Sequence, residues 1–173
     1  MTTPAIRKLT PADADMLYRH YNDLDPESKR CRFSVQISER ALRQFLGGLD
    51  LNRDIHFAII DGNDILALAQ VSQYDNENKF RRELGLSVAS KARRLGYANL
   101  LWDSVTAYVQ QENMQELYIL HSPQNYPMLN FCRSKGLRSE YQSGERIGVW
   151  KNPDWIDPHI GIGYDATQAY PSM

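Results

Sequence analysis

The segment from Arg93 to Ala98 places two arginines and small residues at the predicted start of a helix. A turn from a strand into a helix leaves backbone N–H groups without intrahelical partners, at the positive end of the helix dipole. Gly96 and Ala98 allow a ligand to approach the backbone, and Arg93 and Arg94 add positive charge. The segment therefore predicts a phosphate or pyrophosphate site. An ordinary loop with solvated arginines is the alternative.

Glu83 is the second candidate, because it precedes this segment on a predicted strand. A carboxylate whose pKa is raised by burial can take a proton from an amine, whose ammonium form has a pKa near 10.4. A glutamate on a strand can therefore act as a general base, but the residue alone does not select this role. The alternative is a surface glutamate paired with Arg81 or Arg82.

Cys132 and His121 are weaker candidates for chemistry. A buried helical cysteine usually packs as a small hydrophobic residue, and a histidine at the end of a strand is usually structural. A nucleophilic pair of the two requires only that they meet in space, but their spacing in the sequence does not favour one.

Hydrophobic periodicity, with Gly, Pro, Asn and Asp between the periodic segments, predicts the order β-α-α-β-β-β-α-β-α-β-β, a mixed α/β domain. One strand runs from Phe80 to Val88, with Glu83 and Ser87 on the same face. The helix from Gly96 to about Gln111 follows it, so the predicted anion site lies between this strand and this helix.

The composition limits the class of protein. The chain has 173 residues, 42% of them hydrophobic, and a formal charge of −1, which favours one folded domain and disfavours nucleic-acid or membrane-surface binding. It contains no apolar run long enough to span a bilayer, and Cys31 and Cys132 lie in no metal-ligand spacing. We therefore expect a cytoplasmic protein with reduced thiols and no bound metal.

Arg93-x-x-Gly96-x-Ala98 fits the R/Q-x-x-G-x-G/A motif of the GNAT superfamily of acyl-CoA-dependent N-acetyltransferases. Asn125-x-x-Met128 and the segment 131–137 resemble that superfamily's asparagine and its F/L-Y-x-x-x-G-F ending. The resemblance covers about residues 6–150, and it is motif-specific in 83–98 and 125–137. It implies a mixed, mostly antiparallel sheet flanked by helices in residues 1–151. The Pro, Gly and aromatic residues of 152–173 fit no period, which indicates a tail packed on the domain or used in a contact.

A narrower resemblance is to the GNAT branch that includes protein lysine acetyltransferases, often fused to acyl-CoA synthetase-like domains. It is carried by Pro26-Glu27-Ser28, Arg32-Phe33, Ser38 at the start of a helix, and His56-Phe57-Ala58. Glu83 stands where that branch has an acidic residue at the start of the motif strand.

The resemblance implies that acetyl-CoA is the cosubstrate and that Glu83 is the catalytic base. It places the pantetheine arm against the backbone of Leu86, Ser87 and Val88, with Asn125 facing it. The residues implied at the pyrophosphate are Arg93, Arg94, Leu95, Gly96, Tyr97 and Ala98. Cys132 occupies the position where many relatives have a tyrosine that protonates the departing CoA thiolate.

The expected function is transfer of an acetyl group by direct attack of a primary amine, which is a protein lysine, an N-terminus or a small molecule. A non-catalytic CoA-sensing or regulatory module is the alternative from another class, and a Cys-dependent acyltransferase is a second enzymatic one. A homodimer is left open.

Overall fold

The computed structural model describes residues 4–159. The strands are β1 (Ala5–Lys8), β2 (Ile55–Asp61), β3 (Asp64–Gln73), β4 (Arg81–Val88), β5 (Glu116–His121), β6 (Arg138–Gln142) and β7 (Glu145–Lys151). The α-helices are α1 (Ala14–Asp23), α2 (Pro26–Phe33), α3 (Glu39–Gly47), α4 (Tyr97–Gln111) and α5 (Tyr126–Ser134). Single 3₁₀ turns precede α1 at Pro11–Asp13 and α4 at Ser90–Ala92.

The seven strands form one sheet in the order β1-β2-β3-β4-β5-β7-β6. Every neighbouring pair is antiparallel except β4 with β5, which is parallel. This mixed, mostly antiparallel sheet flanked by helices confirms the predicted fold class.

Helix α2 is an addition to the predicted order of elements, which has two helices between the first two strands where the structure has three. Asp25 caps this helix by accepting a hydrogen bond from the backbone N–H of Ser28 at 3.0 Å, and Pro26 occupies the first turn. None of its residues is buried, so α2 has no apolar face for hydrophobic periodicity to reveal.

The two faces of the sheet carry separate cores. On one face, α4 packs over the central strands around Leu101, Val105 and Val109. On the other face, α1 and α3 cover β2 and β3 around Leu17, Tyr21 and Leu42. Glu83, Gly85 and Ser87 alternate with Leu84, Leu86 and Val88 along β4, as predicted, and the three apolar residues face the α4 core.

Strands β4 and β5 separate after a short parallel ladder. Arg81, Arg82 and Glu83 pair with Glu116, Leu117 and Tyr118, whereas β3 pairs with β4 along its whole length to Val88. Among residues 4–159, no strand pairs with the β5-facing edge of 85–88. The sheet therefore opens just before the loop that leads into α4.

The predicted tail begins against the domain. The side chain of Asn152 donates to the carbonyl oxygen of Met114 at 2.8 Å, and the backbone of Ile156 donates to the side chain of Asn113 at 2.9 Å. Residues 160–173 lie outside the described residues. The boundary at residue 151 stays a prediction.

Candidate active site

A cleft of about 970 Å³ lies where β4 and β5 separate, between α2, the loop before α4 and the start of α5. Most of the predicted site residues line it together: Glu83, Leu86, Ser87, Val88, Arg93, Arg94, Gly96, Tyr97, Ala98 and Asn125. Leu95 does not line the cleft, and 59% of its surface is exposed. The fold thus brings the strand, loop and helix candidates to one place.

The loop before α4 presents a row of free backbone donors. Within the described residues, the N–H groups from Arg94 to Ala98 have no hydrogen-bond partner, because the first bonds of the helix are those of Asn99 and Leu100 to the carbonyl oxygen of Gly96. Arg94 and Gly96 have φ angles of 61° and 80°, and such left-handed positions make a concave run of N–H groups. Together with the 15-residue helix α4, this geometry suits an anion such as a pyrophosphate.

Arg93 is bound differently from the prediction. Its guanidinium donates to the carboxylate of Asp25 and to the hydroxyl of Ser28, so it ties α2 to the loop. The N–H of Ser28, the hydroxyls of Ser90 and Ser28, and Arg93 all hold the pKa of Asp25 well below its usual range. A phosphate contact by Arg93 therefore competes with an existing ion pair, whereas Arg94 makes no ion pair among residues 4–159.

The open edge of β4 offers backbone groups of alternate residues. Ala89 donates to the carbonyl oxygen of Leu66 at 2.9 Å, and antiparallel alternation then turns the N–H and C=O of Leu86 and Val88 away from β3, toward the opening. The backbone of Ser87 faces β3 instead. A contact between a ligand and the backbone of Ser87 stays a prediction, and the alternation favours Leu86 and Val88 for that contact.

The hydroxyl of Ser87 has a different partner. It lies 2.8 Å from Nε2 of His20, and the Nδ1 atom of that ring lies 3.0 Å from the carbonyl oxygen of Ile65. Burial lowers the pKa of His20 to about 4, so the ring is neutral near pH 7. A neutral ring satisfies both contacts by donating from Nδ1 and accepting at Nε2, which joins α1 to β4 beneath the cleft.

Glu83 is half-buried at the wall of the cleft. Burial raises its pKa; the positive charge of Arg32 lowers it, and the negative charge of Glu145 raises it. The alternative of a surface pair is wrong: Arg81 pairs with other carboxylates, and Arg82 donates to backbone carbonyl oxygens. Among residues 4–159, no side chain bonds to the carboxylate of Glu83, so its oxygens are available to a ligand.

Cys132 packs as a small hydrophobic residue. It is buried in the α4 core, it does not line the cleft, and burial raises the pKa of its thiol to about 11. His121 does line the cleft, with Nδ1 2.9 Å from the carbonyl oxygen of Ser122. The two residues share no hydrogen bond in the described structure, so no nucleophilic pair is formed.

Asn125 caps helix α5. Its side-chain oxygen accepts from the N–H of Met128 at 3.1 Å, and its amide nitrogen has no partner among residues 4–159. Because Asn125 lines the cleft, that nitrogen is a donor that a ligand can use.

Two residues of the cleft, Arg32 and Gly85, had no predicted chemical role. Arg32 lines the cleft from α2, although the sequence used it only for a family resemblance. A glycine inside a strand often marks a β-bulge or a close approach of another group, and the unbroken register of β4 excludes a bulge at Gly85. The close approach is confirmed, since the guanidinium of Arg32 packs directly on Gly85.

No helix among residues 4–159 has the length and apolarity needed to cross a bilayer. No group of three His, Cys, Asp or Glu side chains in that part of the chain is arranged to hold a metal ion.

A family model described as an acetyltransferase (GNAT) domain matches residues 5–138. The chain belongs to the GNAT family. Acetyl transfer from acetyl-CoA is the family's chemistry, and the free N–H groups before α4 and the open edge of β4 fit a phosphorylated cosubstrate with an extended arm. No curated protein sequence matches this GNAT protein significantly.

Solved structures show the same fold at low sequence identity. The GNAT domain of S. lividans PAT is 18% identical with a TM-score of 0.74, covering 87% of this chain and 91% of that one. A phosphinothricin acetyltransferase of Sinorhizobium meliloti, in complex with AcCoA, is 14% identical with a TM-score of 0.67 over 87% and 89%. A ribosomal-protein-alanine N-acetyltransferase of Brucella melitensis is 17% identical with a TM-score of 0.64 over 84% and 96%. At these identities the likeness establishes the GNAT fold, and the narrower branch stays a prediction.

Proposed function

We propose that this protein is an N-acetyltransferase that moves the acetyl group of acetyl-CoA to a primary amine, with Glu83 as the general base. The observation that carries the proposal is the cleft, in which the free N–H groups of residues 94–98, the open edge of β4 and an unpaired half-buried glutamate lie together. Acetyl-CoA supplies an acetyl thioester, whose acetyl group passes to the amine while CoA leaves as the thiol.

Three groups of residues hold the cosubstrate in this proposal. The N–H groups from Arg94 to Ala98 bind the pyrophosphate, with the dipole of α4 and the charge of Arg94. The backbone of Leu86 and Val88 pairs with the amide groups of the pantetheine arm, as an added strand would. The amide nitrogen of Asn125 faces the arm from the start of α5.

Glu83 prepares the acceptor. An alkylamine is almost entirely ammonium at neutral pH, and it must lose a proton before its nitrogen has a lone pair to attack with. The carboxylate of Glu83 accepts that proton, directly or through a water molecule. A backbone N–H on the open edge of β4 is a suitable donor to the thioester oxygen as negative charge develops there.

The acceptor is a protein lysine, an N-terminus or a small amine. Glu27 and Glu145 also line the cleft, and together with Glu83 they favour a cationic acceptor. The segments that resemble the lysine acetyltransferase branch, Pro26-Glu27-Ser28 and Arg32-Phe33, lie on α2 and border the cleft. Their position supports acceptor recognition by α2, and assignment to that branch is part of this proposal.

Calorimetry with CoA and acetyl-CoA, followed by a thiol-release assay with a panel of amines, tests the proposal. The panel contains lysine-bearing peptides, peptides with free N-termini and small amines. We expect binding and thiol release with one of these classes. Absence of binding at millimolar ligand contradicts both the transferase and the CoA-sensing alternative, whereas binding without release for any amine favours the sensor.

A further inference from the structure

The guanidinium of Arg32 lies against β4 at Gly85, where a residue with a Cβ atom would leave no room for it. A Cβ atom built on Gly85 would lie 2.6 Å from Cζ of Arg32, far inside contact distance. Gly85 is two residues from Glu83 on the same face of the strand. The guanidinium therefore rests directly on the backbone of β4, one side-chain position along from the proposed base.

The surroundings of Arg32 hold its charge in place without neutralising it. The guanidinium lies 5.7 Å from the ring centre of Tyr21 and 5.3 Å from that of Phe33, and Nη2 donates to the side-chain oxygen of Gln70. Its Nε atom is buried and has no hydrogen-bond partner. No carboxylate among residues 4–159 lies within ion-pair distance of it. A partly buried charge without a counter-ion destabilises the fold. We therefore looked for a functional role of this charge in its effect on the carboxylate of Glu83.

We propose that Arg32 is a positioning residue that keeps Glu83 ionised, so that the carboxylate can accept the proton of the acceptor ammonium. The inference rests on the proposed function of Glu83. Burial opposes ionisation of this carboxylate, and a cation nearby offsets that effect. Since Arg32 does not bond to Glu83, the carboxylate oxygens stay free for the amine, whereas a direct salt bridge would occupy them.

Other groups near this pair do not supply the same charge. Glu145 on β7 opposes ionisation of Glu83, and Tyr74, just after β3, is an uncharged phenol whose pKa burial raises. Burial lowers the pKa values of His20 on α1 and His56 on β2, and the charge of Arg32 lowers both as well, so they are neutral near pH 7. Arg32 is therefore the cation that acts on Glu83 from the opposing helix.

The direct test is titration of Glu83 in the protein without ligands. NMR of protein labelled with ¹³C at the glutamate carboxyl follows each glutamate with pH, and the signal lost in Glu83→Gln identifies Glu83. Arg32→Met removes the charge, Arg32→Lys keeps one, and Gly85→Ala displaces the guanidinium without removing it. Arg30→Met is the matched control, because Arg30 is exposed on the same helix and pairs with Glu27.

The titration midpoint of Glu83 should rise by about one pH unit in Arg32→Met and in Gly85→Ala, since an opposite charge has been removed or displaced. It should stay near the wild-type value in Arg32→Lys and in Arg30→Met. A midpoint in Arg32→Met and Gly85→Ala equal to that of the wild type overturns the inference. Gly85→Ala keeps the test decisive if Arg32→Met does not fold.

The pH dependence of kcat supplies the catalytic readout. An upward displacement of the acid limb by about one pH unit lowers kcat about tenfold below the limb and leaves it unchanged well above it. A change confined to the KM of the amine, with the limb in place, overturns the inference by showing that Arg32 binds the acceptor. If Glu83→Gln is fully active, the proposed base fails, but the titration still decides whether Arg32 controls Glu83.

Discussion

The bond between His20 and Ser87 predicts a specific loss of stability in acid. Burial lowers the pKa of His20 to about 4 in the fold, whereas an unfolded histidine titrates near 6.5. Between these values the unfolded chain binds a proton that the folded chain does not. The contribution of His20 is therefore complete above pH 6.5 and is lost as the pH falls toward 4.

The size of this loss follows from the interval between the two pKa values. At 1.36 kcal/mol per pH unit, the interval corresponds to roughly 3 kcal/mol of unfolding free energy. That is a large fraction of the typical unfolding free energy of a domain, about 5–15 kcal/mol. Protonation also removes the acceptor at Nε2, so the hydroxyl of Ser87 can no longer donate to the ring.

Urea unfolding at several pH values from 7 to 4 measures the effect, with His20→Asn as the comparison. The variant starts less stable, but its side chain does not titrate, and the other buried histidines of the described residues, His56 and His121, are present in both proteins. The difference between the two proteins should therefore shrink by roughly 3 kcal/mol as the pH falls. Parallel curves for wild type and variant would refute the assignment of a neutral, buried His20.

Further variants test the packing of Cys132 and the conformation of the loop before α4. Cys132→Ala should leave the acetyl-transfer rate unchanged, because the thiol lies outside the cleft. Gly148→Ala should lower the free energy of unfolding by about 1–3 kcal/mol in thermal unfolding, because its Cβ would lie 2.9 Å from the thiol sulfur of Cys132. Part of that cost should vanish when both changes are combined, because the added Cβ also lies 2.9 Å from Cδ2 of Leu137, which stays in place. Strictly additive costs would contradict the contact with the sulfur. Gly96→Ala should weaken acetyl-CoA binding roughly 5- to 30-fold in calorimetry, because φ at 96 is +80° and a left-handed alanine costs about 1–2 kcal/mol. Gly47→Ala, which meets nothing within 4 Å at an ordinary φ, is the control, and equal affinities of the two variants would contradict this role of the loop.

The features of the site that could be predicted from the sequence depend on residues that are close together in the chain. The anion site needs only a turn, small residues and the start of a helix, all within residues 93–98, and the structure has this arrangement. The two faces of β4 follow from the period of a strand, so the separation of Glu83 from Leu84 was predictable as well.

The remaining parts depend on contacts between distant segments. Arg93 belongs to the predicted anion site by sequence, but its guanidinium forms an ion pair with Asp25, the N-cap residue of α2. Helix α2 itself buries no side chain, so hydrophobic periodicity does not reveal it, and the contact of Arg32 with Gly85 depends on that helix. The direction of the Ser87 backbone depends on the pairing of β4 with β3, which the strand alone does not specify.

The role of Glu83 is tested most directly by the rate of thiol release from acetyl-CoA in Glu83→Gln, across pH and at saturating amine. The glutamine keeps the size of the side chain but does not accept the proton. We expect a loss of about 10²- to 10⁴-fold in kcat with unchanged acetyl-CoA affinity, since a general base supplies acceleration of that order. Wild-type rates at every pH in this variant would contradict it.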